Sequence, residues 1–357
     1  MSKKIKKNEK VRLNVDSASK AFPSKITPYI ERLMPVSEPI RKMYAKTEEE
    51  IKSESKATDF FNGKEHGLGC IDRVYEDRVA LKVTGECFAH CRYCIRSFIK
   101  STKDANPSKE EIDIAIKYLE QRPEINQVLI TGGEPILSNN LFYLLNKLDS
   151  IAHIRLIRVA ARVFAQNPRF VTDELADRLS SYNKAGRPLN LNICFNHPDE
   201  FTPEAICAVQ TIVQRGIRLR NQTVLLRGIN DTIDAQLSLA RLLVENNTQP
   251  YYLFHCYPTI GKDHLRTTVQ KGLDIIRELN AYSGTLIPHY TIASDIGKIR
   301  LSFDKKLEYS TDRKNVILET PYKAERYRRY TNNNALPNGY YVDASGFIVA
   351  IYPDGKD

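Results

Sequence analysis

The most constraining feature of the chain is a group of three closely spaced cysteines, Cys87, Cys91 and Cys94, in the pattern C-x3-C-x2-C. They come directly after the apolar, β-branched segment 78–84, which is typical of a buried strand. Thiolates spaced in this way can hold three irons of a cubane cluster and leave the fourth iron open. An open iron can bind and reduce a ligand, so the spacing predicts a [4Fe-4S] cluster built for chemistry.

Zinc is the main rival for closely spaced cysteines. A structural zinc site needs four protein ligands, usually as two pairs separated by a loop, and no second pair follows Cys94. Ordinary ferredoxin patterns also supply a fourth cysteine to each cluster. A zinc site or plain electron transfer is therefore the weaker interpretation, and a non-catalytic iron–sulfur protein stays open as an alternative.

Length and composition are typical of a soluble globular protein. The 357 residues suffice for one catalytic domain with extensions, and 42% of them are hydrophobic. No apolar run approaches the roughly 20 residues of a membrane span, and the lysine-rich N-terminus does not resemble a signal peptide. Seven cysteines, three of them in the triplet, suit a reducing compartment. We therefore expect a cytoplasmic protein without a membrane partner.

The chain is basic, with a formal net charge of +10. Such a charge would suit a nucleic-acid partner, but the lysines and arginines are scattered and no aromatic-rich RNA-binding motif accompanies them. We interpret the charge mainly as a solvated surface that favours anionic ligands. A nucleic-acid partner is not expected, and an RNA-modifying enzyme stays open on charge alone.

Strand and helix patterns alternate through the middle of the chain. The clearest local signal is a helix capped by Ser108, with Glu111 three residues on. Six strand–helix pairs predict an α/β fold with a partial parallel (β/α)6 TIM-like barrel. The predicted strands are 79–83, 127–131, 154–160, 189–195, 219–226 and 251–256, and the predicted helices are 108–121, 141–151, 172–181, 203–215, 232–245 and 266–281.

The barrel is predicted to lie between two extensions. We expect a flexible basic tail over 1–25, a helical extension over 26–77, the partial barrel over 78–286, and a loop with a β-rich extension over 287–357. In such barrels the site lies at the carboxyl ends of the strands. The segments at those ends are the cysteine triplet, Gly132-Gly133-Glu134-Pro135, Asn196-His197-Pro198 and Cys256-Tyr257.

The triplet resembles the motif of the radical S-adenosylmethionine (SAM) enzymes, and the likeness includes the aromatic Tyr93 before the third cysteine. In that family the open iron is chelated by SAM, and one electron from a donor such as flavodoxin or ferredoxin cleaves SAM to methionine and a 5'-deoxyadenosyl radical. The cofactor carries the hard step, and the protein supplies orientation and exclusion of water. The SAM-binding residues that the resemblance implies are Tyr93, Gly132, Gly133, Glu134, Asn196, His197 and Gln222.

A narrower resemblance covers most of the chain, from about residue 27 to 320. It is a resemblance to the lysine 2,3-aminomutase family, isomerases that pair the radical cofactor with pyridoxal 5'-phosphate (PLP). The segments that carry it, in the family's order, are Asp77-Arg78-Val79, Cys94-Ile95-Arg96, 194–198, 221–226, 250–256 and Gly297-Lys298.

The resemblance implies roles for four further residues. Lys298 would bind PLP covalently, and Arg78 with Tyr75 would hold the cofactor phosphate. Arg96 would bind the carboxylate of a free amino acid substrate, whose amino group would move from the α to the β carbon. A radical SAM enzyme without PLP, acting on a small molecule or a peptide, stays open as an alternative. A homo-oligomer is compatible with the sequence.

Two positions depart from the lysine-specific enzymes. Those enzymes carry one acid just after the cysteine that ends the sixth strand and another before the PLP lysine. Here the first position is Tyr257, and the second falls near Ala293, with Asp295 as the nearest acid. Burying a cationic side chain without a counter-charge is costly. Tyr257 therefore suits a neutral, polar or aromatic side chain better than that of lysine, and lysine is expected as the substrate only if Asp295, as a displaced acid, or another acid reaches it.

Overall fold

A computed structural model describes residues 23–55, 69–97, 106–304, 307–331, 333 and 335–356. Within these residues the largest element is a nine-stranded sheet whose strands follow one another in chain order. Its strands are β1 (Ile71–Asp72), β2 (Arg78–Thr84), β3 (Gln127–Gly132), β4 (Leu156–Ala161), β5 (Leu189–Ile193), β6 (Arg218–Leu225), β7 (Thr248–His255), β8 (His289–Ser294) and β9 (Gly297–Arg300).

The sheet is mainly parallel and curls into a half-barrel. Strands β2 to β8 pair in parallel, while β1 and β9 run antiparallel at the two edges. This confirms the predicted partial parallel barrel. The sheet adds a seventh parallel strand, β8, to the six predicted ones. Because no helix follows β8, the strand–helix alternation ends before this strand and does not reveal it.

Helices connect the strands and cover the outer face of the sheet. In α3 the predicted capping box is confirmed, since the Ser108 hydroxyl accepts from the Glu111 N–H at 3.2 Å and Glu111 Oε2 accepts from the Ser108 N–H at 2.7 Å. The described helices are α1 (Pro28–Leu33), α2 (Glu38–Tyr44), α3 (Lys109–Glu120), α4 (Asn139–Asp149), α5 (Val163–Gln166), α6 (Asp173–Ser180), α7 (Pro203–Val213), α8 (Ile233–Glu245), α9 (Val269–Leu279) and α10 (Ala324–Thr331).

Side-chain alternation divides each strand between the core and the inside of the half-barrel, here called the lumen. In β2, Val79, Leu81 and Val83 are buried in the main hydrophobic core with the residues of α3 and α4. Arg78 and Lys82 occupy the alternate positions and face the lumen. The sequence thus places apolar residues outward against the helices and charged residues inward.

A smaller antiparallel sheet follows, formed by β10 (Glu308–Tyr309), β11 (Asn315–Lys323), β12 (Tyr340–Val342) and β13 (Phe347–Pro353) in the order β10-β11-β13-β12. Its Val316 and Tyr352 share a hydrophobic core with Leu273 of α9 and Tyr290 of β8. The small sheet is therefore packed against the last part of the half-barrel.

Two sequence expectations concern the chain ends and membranes. Most of the predicted tail over 1–25 lies outside the described residues. Within the part of the chain that the structure describes, no helix combines the length and apolar character that a membrane crossing requires.

Candidate active site

The loop after β2, residues 85–97, carries the three cysteines and is here called the cysteine loop. It is held from outside the half-barrel by the N-terminal segment. Arg92 and Glu50 form an ion pair in which both side chains are only 3% exposed, with Nε and Oε1 2.7 Å apart. The Arg92 N–H donates to the Met43 carbonyl at 2.9 Å, and Lys25 Nζ donates to the Cys87 carbonyl at 2.6 Å. These contacts tie the loop to the N-terminal segment through protein groups alone.

The donor set of this loop fits an iron–sulfur cluster. Cys87 and Cys91 are buried, and all three thiols are outside any disulfide. Among the described residues, no three His, Cys, Asp or Glu side chains are grouped like the ligands of a single metal ion. That finding is compatible with the predicted [4Fe-4S] cluster, because each thiolate of a cubane binds its own iron.

The glycines after β3 are required by the backbone beside the cysteine loop. A Cβ on Gly132, whose φ is +128°, would lie 2.2 Å from the Thr84 carbonyl oxygen, and one on Gly133 would lie 2.0 Å from that of Glu86. The N–H groups of Gly133 and Glu134 donate to the same two carbonyls at 2.6 Å each. The motif therefore locks β3 to the start of the cysteine loop.

Glu134 is a buried carboxylate at the end of β3, and its burial raises its pKa to about 7. Its Oε2 accepts from the Arg162 N–H at 2.6 Å, and its Oε1 accepts from the Ile136 N–H at 3.3 Å. A carboxylate offers about four acceptor positions. These contacts leave capacity for an ammonium group, which is the predicted role of Glu134 in binding SAM.

Arg162, at the end of β4, connects neighbouring strand ends and was not singled out by the sequence. Its Nη2 lies 2.6 Å from Glu200 Oε1, and its Nη1 donates to the Cys194 carbonyl at 2.6 Å. The guanidinium carbon is 5.4 Å from the centre of the Tyr93 ring. Arg162 thus joins the cysteine loop to the ends of β4 and β5. Its position just after the predicted strand 154–160 is the sequence signal that could have indicated it as a site residue.

Asn196 and His197 make contacts within the protein. Asn196 is fully buried, and its Oδ1 accepts from the Val224 N–H at 2.8 Å. The His197 ring nitrogen Nδ1 accepts from the Asp199 N–H at 3.2 Å and so caps a short helical turn. Gln222 lies on the lumen side of β6. Their contact with SAM stays a prediction.

Lys298 lies on β9 and faces the lumen. Its Nζ is 4.4 Å from the ring centre of Tyr252 and 5.2 Å from that of Phe254. Its N–H donates to the Tyr75 hydroxyl at 2.8 Å, and its carbonyl accepts from the Tyr322 hydroxyl at 2.7 Å. The backbone of Lys298 is therefore held on both sides, and its amine lies over the neighbouring rings of Tyr252 and Phe254 on β7.

Gly297 permits this arrangement. Its φ is +124°, and a Cβ there would lie 2.8 Å from the Tyr322 hydroxyl and 3.0 Å from the Tyr75 ring. Glycine is thus required beside the lysine even though the chain lacks a longer glycine run at this point.

Three arginines share the lumen with Lys298, and the four residues are here called the lumen cation group: Arg78, Arg158, Arg220 and Lys298. Burial, together with the charges of Arg158 and Arg78, lowers the pKa of Lys298 to about 7. The Arg78 guanidinium carbon lies 3.6 Å from the centre of the Tyr75 ring. The sequence predicted Arg78, Tyr75 and Lys298 as one site, and the structure brings them together.

Several polar atoms of this region have no hydrogen-bond partner among the described residues. They are Nε of Arg158, Nε of Arg220 and both side-chain amide atoms of Asn192. Buried donors of this kind are costly unless something accepts from them. The donors fit an anionic group such as a phosphate, which guanidinium groups recognise well.

Arg96 lies in the cysteine loop and contacts Asp72, a buried residue of β1 that the sequence did not indicate. Arg96 Nη2 is 3.4 Å from Asp72 Oδ2, and Lys82 Nζ is 3.2 Å from Oδ1 of the same carboxylate. A guanidinium carries five N–H donors, so the contact with Asp72 orients Arg96 and leaves donors for a second carboxylate.

Tyr257, the first position of the predicted departure, contacts Asp295, the acid nearest to the second position. Asp295 lies in the turn between β8 and β9, and the Tyr257 hydroxyl donates to its Oδ1 at 3.2 Å. Burial and the nearby Asp295 charge raise the pKa of Tyr257 well above its ordinary value. The Tyr340 hydroxyl, from the small sheet, accepts from the Asp295 N–H at 3.2 Å.

Comparison with known proteins agrees with this geometry. The Radical SAM superfamily profile matches residues 81–234. A putative L-lysine 2,3-aminomutase of Aquifex aeolicus is 39% identical, over 78% of this chain and 76% of its own length. The L-lysine 2,3-aminomutase of Methanococcus maripaludis is 35% identical, over 86% of this chain and 72% of its own length. The glutamate 2,3-aminomutase of Clostridioides difficile is 32% identical, over 83% and 71%.

These matches confirm the resemblance that the motifs predict. The chain belongs to the lysine 2,3-aminomutase family of radical SAM enzymes, a family of isomerases.

Proposed function

We propose that the chain is a SAM- and PLP-dependent 2,3-aminomutase that converts a free α-amino acid to its β-isomer. The observation that carries the proposal is the setting of Lys298, a buried amine that lies over the rings of Tyr252 and Phe254 and near the charges of Arg158 and Arg78. When bound, the cluster with SAM supplies hydrogen abstraction, and PLP supplies a carrier for the migrating nitrogen.

Lys298 is the residue that would attach PLP. An amine attacks a carbonyl only in its neutral form, and with its pKa lowered to about 7 a large fraction of Lys298 is neutral at neutral pH. The hydrogen bond that its N–H donates to Tyr75 and the one that its carbonyl accepts from Tyr322 fix its backbone, so the side chain reaches the lumen from one defined direction.

Arg78 and Arg158 would bind the phosphate of PLP. Both lie close enough to Lys298 to lower its pKa, and Arg158 has a buried N–H without an acceptor among the described residues. A phosphate would accept from such donors and neutralise part of the lumen charge.

Arg96 would bind the substrate carboxylate. Asp72 holds it from one side, and the cysteine loop places it two residues after Cys94. A substrate held there would lie near the SAM end of the lumen, which is the position that hydrogen abstraction requires.

Tyr257 and Asp295 would contact the substrate side chain. The pair offers one hydroxyl and one carboxylate that already accepts from it. A fully cationic side chain would therefore meet weaker compensation than from two carboxylates. We propose a neutral polar or aromatic side chain. The family accommodates different substrates, since the relatives named above include lysine and glutamate enzymes.

The reaction would also need an external one-electron donor of the flavodoxin or ferredoxin type. The test is an anaerobic reaction of the cluster-reconstituted protein with SAM, PLP, a reductant and a mixture of common amino acids. Chromatography with mass spectrometry should detect a new β-amino acid, which would also identify the substrate. Formation of 5'-deoxyadenosine without any β-isomer would contradict the aminomutase proposal for these substrates.

A Lys298→Arg variant tests the PLP part separately. Arginine keeps a long basic side chain but cannot bind PLP covalently, so borohydride reduction should label the wild-type lysine and leave the variant unlabelled. The variant should still cleave SAM. If it makes β-amino acid at the wild-type rate, the reaction does not use PLP at Lys298, and the PLP-independent alternative gains support.

A further inference from the structure

Gln166 is a buried residue that contacts the cysteine loop from α5. Its side chain is 2% exposed, and its Nε2 lies 3.1 Å from the Ala89 carbonyl oxygen and 3.2 Å from Cys91 Sγ. Its own carbonyl accepts from the Thr27 hydroxyl at 2.6 Å, which fixes the backbone of α5 at this point.

The orientation of the Gln166 amide follows from its partners. The Ala89 carbonyl can only accept, so the NH2 group and not the amide oxygen must face it. The second N–H of the same group then points at Cys91 Sγ. Since sulfur is larger than oxygen, 3.2 Å is a close N–H···S contact.

A polar amide at this place is costly unless its hydrogen bonds are made. One of its two donated bonds supports the loop backbone, and the other goes to a sulfur that would bind iron. The Gln166 side chain also hydrogen-bonds Tyr44, so the amide, the Tyr44 hydroxyl and Cys91 Sγ form one contact group.

We propose that Gln166 sets the reduction potential of the cluster by donating a hydrogen bond to the Cys91 thiolate. Reduction adds a negative charge to the cluster and its thiolates, and burial of Cys91 disfavours that charge. An N–H donor stabilises the more negative, reduced form, so it raises the potential. Tyr44, whose hydroxyl lies 4.0 Å from Cys91 Sγ, adds a weaker contribution of the same sign.

This inference rests on the iron–sulfur part of the proposed function and not on PLP or on the substrate. It makes Gln166 a positioning residue, because it acts on the cluster through Cys91. Its consequence is a cluster that a weaker external reductant can reduce.

The test is a redox titration of the reconstituted protein followed by electron paramagnetic resonance, without SAM or substrate. Gln166→Met keeps the length of the side chain and removes the donor. At a fixed potential, the ratio of reduced to oxidised cluster should fall about tenfold, which for a one-electron couple is about 59 mV. Gln166→Glu places a negative charge there and should lower the potential further, and Tyr44→Phe should lower it less.

Gln210→Met is the matched control. This variant removes a glutamine amide that donates to Asn246 Oδ1 at 3.2 Å and does not contact the cysteine loop. Its potential should equal that of the wild type. A Gln166→Met protein with full iron content and an unchanged potential overturns the inference.

If Gln166→Met does not retain the cluster, the wild-type protein still gives a decision. With glutamine labelled by ¹⁵N in the side chain, the reduced cluster should show a ¹⁵N hyperfine coupling, and the absence of that coupling would also overturn the inference. If the potential of Gln166→Met is shifted but the wild-type protein forms no β-amino acid, the aminomutase proposal is refuted and this inference stays intact.

Discussion

The cysteine loop and the lumen cation group differ in whether their buried cations are paired with carboxylates. Around the cysteine loop each buried arginine meets a carboxylate, as in Arg92 with Glu50 and Arg162 with Glu200. In the lumen the described residues place no carboxylate in an ion pair with Arg158 or Lys298. The arginines around the cysteine loop are thus neutralised by carboxylates, whereas the lumen cation group carries an excess of positive charge.

The difference agrees with what each region is proposed to hold. The cysteine loop is proposed to present three thiols to a cluster that brings its own irons, and the buried arginines around it are paired. The lumen cation group is proposed to bind the phosphate of PLP, and an acid paired with Arg158 or Lys298 would compete with that phosphate. Removing one charge should therefore lower the unfolding free energy when it breaks a pair near the cysteine loop. In the lumen cation group it should leave the unfolding free energy constant or raise it.

The largest effect is expected from breaking the Arg92–Glu50 pair. Glu50→Gln leaves a buried guanidinium without its counter-charge, and loss of one partner of such a pair costs about 3–5 kcal/mol of unfolding free energy. Chemical denaturation of the cluster-free protein measures it. The double variant Arg92→Met, Glu50→Leu should recover much of the loss. Equal stability of Glu50→Gln and the wild type would show that the pair does not brace the loop.

In the lumen, Arg158→Met should have the reverse effect on the PLP-free protein. The substitution removes a buried charge that lacks a carboxylate, so the unfolding free energy should stay constant or rise. Affinity for PLP should fall by about 10–100-fold, since one charge-assisted phosphate contact is lost. Arg169→Met, at an exposed arginine of the outer surface, is the control for PLP binding by absorbance titration. A loss of stability in Arg158→Met would contradict the contrast between the regions.

Glu134 is expected to make the affinity for SAM depend on pH. Its pKa is raised to about 7, so the carboxylate is charged above that pH and protonated below it. Only the charged form attracts the ammonium group of SAM, so affinity for SAM should fall by up to about tenfold for each pH unit below 7. Calorimetric titration from pH 5.5 to 8.5 measures this change. In Glu134→Gln the affinity should be weak and independent of pH. A flat profile in the wild type would remove Glu134 from the SAM site.

The sequence predicted the local features of both regions, such as motifs, strands and caps, better than it predicted which distant residues contact one another. The cysteine triplet, the strands of the half-barrel and the Ser108 cap depend on local spacing, which a single chain displays directly. Lys298, Arg78 and Tyr75 were placed together by resemblance, and the curled sheet brings Lys298, on the antiparallel edge strand β9, beside Tyr75 and Arg78 at the start of β2.

The partners depend on packing between distant segments. Asp72 contacts Arg96, and Gln166 contacts Cys91 across 75 residues of chain. Gln166 lies on the four-residue helix α5, which is too short to show a periodic pattern. Arg158 lies inside an otherwise apolar strand, where the pattern predicts the strand but not the side chain's neighbours. The pairing of charges, which separates the two regions, is therefore a property of the fold.

The smallest effect concerns Tyr257 and Asp295, which are proposed to contact the substrate side chain. Tyr257→Phe removes the hydroxyl that donates to Asp295 and leaves the ring in place, at a cost of about 1 kcal/mol for one hydrogen bond. If the pair contacts the side chain of the substrate, KM should change by about fivefold while kcat stays within about twofold, because the chemistry occurs at the other end of the substrate. Tyr282→Phe, at an exposed tyrosine, is the matched control for KM measured with the amino acid that the enzyme isomerises. A large fall in kcat with constant KM would instead place Tyr257 beside the reacting atoms. Asp295, its hydrogen-bond partner, would then act on the cofactor and not on the choice of substrate.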